Sequence, residues 1–117
     1  MTDSNLVISE LMLIMDCSRE DAERYGTYIE AASGSVCSLL KSDADENDAR
    51  IVHLCAAKTY YTILLTDDNG SLSSFKAGDV SYTIEKNSLE NARVLLENAY
   101  ADCTDLIASG GFAFKAV

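Results

Sequence analysis

Any Ser-His-Asp or Cys-His relay in this 117-residue chain must be built on its one histidine, His53. Cys55 stands two positions further on, and on a helix residues two apart do not share a face. A single histidine beside a packed face serves structure more often than catalysis. Asp43, Asp45 and Asn47 imitate the opening of a calcium loop, D-x-D-x-N. The imitation fails where a loop needs it most: Asp48 occupies the glycine position, and Leu54 stands where a bidentate glutamate belongs. We therefore read "KSDADEND" as a solvated acidic loop that caps the following helix. Cys17, Cys37, Cys55 and Cys103 form no C-x-x-C pair, which points to reduced, mostly buried thiols rather than a zinc site. Carboxylates are abundant, but the sequence places no two of them across a cleft. No glycine-rich loop follows a strand to cradle a phosphate. Tyr25, Tyr28, Tyr60 and Tyr61 could stack a ligand, yet at helical spacing such residues are more often core and rim. The expectation is a protein that is not an enzyme, with no catalytic residue, no cofactor and no metal.

Bulk properties bound the remaining classes. The length suits one domain, and 48% hydrophobic with 24% charged residues is an ordinary globular composition. Proline is absent, which favours uninterrupted helices. No apolar run approaches the roughly 20 residues that span a bilayer, so no membrane association is expected. The N-terminal "LVISELMLIM" carries Glu10 and has no basic region ahead of it, unlike a secretory signal. The formal charge of −10 is uneven: residues 1–48 hold eleven acids against three bases, and residues 49–117 eight against six. Such a surface repels nucleic acid, although it could form a wall that DNA slides past.

Positioning falls to helices. The first spans about 5–15, capped by Ser4 or Asn5, and is apolar on almost every face, so it is either buried or meets a second partner. The second spans about 18–41 from a Ser18/Asp21 cap, with apolar residues spaced alternately three and four and a bend near residue 34, at Ser33-Gly34-Ser35. The third, about 48–66, carries two apolar stripes and should be central. The fourth, about 88–108, is capped by Asn87 or Ser88 and stopped by Gly110 and Gly111. Between the last two, "SFKAGDVSYTIE" alternates Val80, Tyr82 and Ile84 with polar residues, the pattern of a β-like ribbon at about 73–86. The chain closes on an extended tail, 110–117, with Phe112 and Phe114. The expected fold is mainly α: a small four-helix bundle-like domain over residues 1–117, with a β-hairpin or extended insertion between helices 3 and 4.

This plan has more apolar surface than four short helices can hide. An isolated hairpin is marginal in water, and its edge suits pairing with another chain. Phe75, Val80, Tyr82, Ile84, Phe112, Phe114, Leu11 and Ile14 are the expected oligomer or partner contacts, and the tail of the same chain or of a neighbour could pair with the ribbon.

The stretches "LMLIMDCSREDAERYGTYIEAASGSVCSLL" and "ARIVHLCAAKTYYTILL" carry a resemblance. With the Asp16, Ser18 and Asp21 opening, the Ile29–Ala32 run and the Tyr60-Tyr61 ending, the chain resembles the head–tail connector (adaptor, or head-completion) proteins of long-tailed bacteriophages and prophages. The shared features are packing patterns spread over most of the chain. The resemblance implies a homo-oligomeric ring beneath the portal protein, binding a stopper or tail-completion protein, with DNA passing through without specific contact. It implies assembly in the host bacterial cytoplasm and then a place in the virion. Two alternatives stand beside it: a stand-alone acidic helical interaction or regulatory module, and a small ligand-binding or enzymatic bundle using His53 and a carboxylate.

Overall fold

A computed structural model describes residues 2–66 and 79–108, with the backbone alone for 79–88. The described residues form five helices: α1 (Ser4–Met15), α2 (Arg19–Glu23), α3 (Gly26–Cys37), α4 (Ala49–Thr66) and α5 (Asp79–Asp102). The domain is mainly helical and bundle-like, as the apolar periodicity requires.

Each boundary has a local cause. Asp3, rather than Ser4 or Asn5, caps α1, its carboxylate accepting the Asn5 N–H at 3.0 Å. Asp16 ends α1 in the left-handed region at φ 53°, and the Cys17 N–H returns to the Met12 carbonyl at 3.2 Å. That six-to-one bond is the signature of a Schellman stop, a position glycine usually fills. Ser18 caps α2 through the Asp21 N–H at 3.2 Å. The expected single helix from 18 to 41 is instead two, and the break falls at Arg24–Tyr25 rather than near residue 34. There the chain tightens into three-residue turns, Arg24 N–H to Asp21 O and Tyr25 N–H to Ala22 O, just ahead of Gly26. The Ser33-Gly34-Ser35 run stays helical because Ile29, Ala32, Ser33 and Val36 are held in the core on one face.

The second correction concerns the ribbon. Residues 79–86 are not strand but the opening turns of α5, which also runs through the expected caps Asn87 and Ser88. Residues 73–78 lie outside the described residues. Val80 and Ile84 are four apart, a spacing that fits a helix as well as alternation does. Lengthening an existing helix gains a hydrogen bond for each residue ordered, whereas an isolated hairpin must be nucleated anew. The helix then ends at Asp102, short of 108, and turns occupy 103–106.

Helix α4 is the centre: α1, α3 and α5 all pack on it. Its Ile51, Leu54, Cys55, Ala56 and Ala57 are completely buried, and the small residues among them let neighbouring helices approach closely. Val7 and Leu11 from α1, Ile29 and Val36 from α3, and Leu96 and Ala99 from α5 complete the core. The chain following α5 lies beside the chain following α3: Leu40 and Ile107 form an antiparallel bridge, with Lys41 N–H to Leu106 O at 3.0 Å and Ala108 N–H to Leu39 O at 2.7 Å. Residues 106–108 thus pair with the α3 exit of their own chain, while the tail at 110–117 lies outside the described residues.

Candidate functional site

Leu11 is completely buried in its own core and offers nothing to a partner, a correction to its expected role. Ile14 is partly buried against that core. Val80, Tyr82 and Ile84 stand in α5. Phe75, Phe112 and Phe114 lie outside the described residues, as do Gly110 and Gly111. Among the described residues, other large apolar side chains face solvent. Leu6 and Leu13, seven residues apart on α1, are 42% and 78% exposed, while Leu65 on α4 and Val94 on α5 are 47% and 42% exposed. Positions i and i+7 share a helix face, so Leu6 and Leu13 form one outward stripe. Helices α1 and α5 each pack on α4. Among the described residues, the exposed large apolar side chains thus come from α1, α4 and α5.

His53 acquires a carboxylate that spacing could not assign. Its Nδ1 lies 2.7 Å from Glu10 Oε2, joining α4 to α1, with both side chains about one-third exposed. His53 also lines a depression with Ala49, Arg50, Ala99 and Asp102. Cys55 takes no part here: it is completely buried, and its thiol donates towards Thr2 Oγ1 at 3.8 Å. The Glu10–His53 pair can exchange a proton and can hold two helices together, but no nucleophilic side chain is hydrogen-bonded to it among the described residues.

Arg50 forms the second polar cluster. Asp48 caps α4 by accepting the Arg50 N–H at 2.9 Å, and its backbone hydrogen bond from Arg50 holds the Asp48 carboxyl below the usual carboxylate range. The Arg50 guanidinium reaches across to Asp105 Oδ1 at 3.1 Å and the Asp102 carbonyl at 3.2 Å, at the C-terminal end of α5. A cation there complements the helix dipole. Beneath it the Cys103 thiol donates to the Arg50 carbonyl at 3.4 Å, and burial raises Cys103 to about 11. The acidic loop is organised by its own turns: Asp45 accepts the Asn47 N–H at 2.9 Å, and Asn47 Oδ1 accepts the Asp3 N–H at 2.8 Å. Among the described residues, no three His, Cys, Asp or Glu side chains converge as metal ligands do. Of the described helices, none is long and apolar enough to cross a membrane.

No family model, curated protein or solved structure matches the chain.

Proposed function

We propose that this chain is a structural assembly subunit, a head–tail connector (adaptor) protein of a long-tailed phage or prophage that forms a ring beneath the portal. The observation that carries the reading is apolar surface exposed on more than one helix: Leu6 and Leu13 on α1, Leu65 on α4 and Val94 on α5. Two different surfaces on one subunit are the requirement for head-to-tail contact, which closes into a ring when the rotation allows. The acidic surface suits a channel through which DNA passes without adhering. On this reading the protein is not an enzyme, and Glu10–His53 is a clamp between α1 and α4.

Light scattering of the full chain, alone and mixed with a portal protein of a long-tailed phage, tests the proposal. Self-association or portal binding is expected. Leu13→Asp and Val94→Asp should each abolish it while leaving the helical circular dichroism unchanged. Removal of residues 112–117 should weaken it in the same way. A chain that neither self-associates nor binds the portal is not a connector. The enzymatic alternative requires instead an activity that His53→Ala destroys.

A further inference from the structure

Thr2 and two cysteines form a small polar centre inside the apolar core. Thr2 is almost completely buried, and its hydroxyl donates to the Glu46 carbonyl at 2.8 Å. A hydroxyl has one proton and two acceptor lone pairs, so Thr2 Oγ1 is left to accept. Two thiols approach it: Cys37 Sγ from the end of α3 at 3.5 Å, and Cys55 Sγ from α4 at 3.8 Å. The two sulfurs are therefore no further apart than those two distances combined. Ser33, one turn before Cys37 on the same face of α3, is also buried, with its hydroxyl beside the Cys55 thiol. The sulfurs differ in access: Cys37 is partly exposed, whereas Cys55 is completely buried. Burial also raises the Cys55 thiol above its ordinary range.

We propose that Cys37 and Cys55 are a closable dithiol, with Cys37 the site of oxidation, Cys55 the resolving thiol, and Thr2 the group that holds both in the reduced form. The oxidant is a hydroperoxide, with hydrogen peroxide the simplest case. The Cys37 sulfur attacks one peroxide oxygen, the O–O bond breaks, and the thiol proton leaves with the displaced hydroxide as water. The resulting sulfenic acid is attacked by the Cys55 sulfur. An S–S bond forms, the S–O bond breaks, and the Cys55 proton leaves with that hydroxide as a second water. Two thiols and one peroxide become one disulfide and two waters, with two electrons passed to the peroxide. Closure would staple α3 to α4 across the acidic connection at residues 38–48. It would also take from Thr2 the two thiol protons it accepts, leaving the N-terminal segment held by Glu46 and by the Asp3–Asn47 contact.

The test treats the folded full chain with hydrogen peroxide, quenches by alkylation in denaturant, and maps the peptides without reduction. A Cys37–Cys55 bridge is expected in the wild type and in the Cys17→Ser/Cys103→Ser double variant, with no bridge in Cys37→Ser. In Cys37→Ser, Cys55 should remain alkylatable. In Cys55→Ala, Cys37 should stop at a sulfenic acid that dimedone traps. Thr2→Val, which removes the shared acceptor, should close about fivefold faster, the factor that loss of one hydrogen bond represents. Circular dichroism verifies that each variant is folded before it is scored. Oxidation that leaves Cys55 free, or bridging seen only in denaturant, overturns the dithiol. An unchanged rate in Thr2→Val overturns the role given to Thr2.

Discussion

Leu11 and Leu13 are two residues apart on α1 and have opposite fates, one completely buried and the other 78% exposed. Leu11→Ala should cost about 3 kcal/mol of stability, the usual range for a truncated core leucine. Leu13→Ala should leave the denaturant midpoint of the monomer nearly unchanged, so that any effect it has belongs to association. Backbone strain gives a second prediction at this scale. Asp16 holds a left-handed conformation that glycine adopts without steric cost. Asp16→Gly should stabilise the chain by about 0.5–1 kcal/mol in urea unfolding. At Gly26 a side chain would act through the unfolded state, whose freedom it reduces. A Cβ there would meet nothing within 4 Å, so Gly26→Ala should raise stability by about 0.5 kcal/mol. The acid response of Asp48 also belongs here. Its folded pKa is lowered, so its contribution is fully present above the ordinary carboxylate value of about 4 and is lost as pH falls through the folded value. Asp48→Asn keeps the cap but removes the titration, and its thermal midpoint should fall less than the wild type's below pH ~4.

At the scale of elements, the ends of helices decide more than their centres. Antiparallel packing sets Arg50 of α4 against the end of α5, with Ala99 and Asp102 beside the first turns of α4. Arg50→Met should therefore loosen both ends together, seen as faster amide exchange in residues 50–53 and 103–107. The effect should shrink in high salt, because the guanidinium is substantially exposed. The N-terminal turns of α5 allow a direct check of the ribbon correction: Cα chemical shifts of residues 80–86 should be displaced in the helical direction, and strand-like shifts would contradict the assignment. Alternation over Val80, Tyr82 and Ile84 was a fair strand signal in isolation. It misled because a run of five residues holds one turn and a half of helix, too little to separate a period of 2 from one of 3.6. The split between α2 and α3 was hidden for a related reason. Periodic apolar residues continue through Tyr25, and nothing in their spacing records a three-residue turn at Arg24.

For the whole molecule, the decisive feature is a helix packed on several sides. Ala56 and Ala57 make α4 slim enough to take α1, α3 and α5 at once, and its two apolar stripes made that central position readable in advance. The surplus of apolar residues was also readable, but its location was not. Most of α1's apolar face turns inward, and the remainder is concentrated at Leu6 and Leu13. The Leu40–Ile107 bridge commits the residues just after α5 to their own chain.

The sequence by itself determined a helical domain, the identity of its central helix, the Ser18 cap and the capping role of the acidic loop at Asp48. These rest on local spacing and on hydrogen bonds between near neighbours, which every copy of the chain carries in its linear order. Only tertiary structure decided that His53 meets Glu10, that Arg50 reaches Asp105, and that Cys37 and Cys55 share the Thr2 hydroxyl. Those partners are separated by long stretches of chain. Which of many carboxylates or thiols comes within hydrogen-bond reach depends on how the helices pack on α4, and no local pattern encodes that geometry.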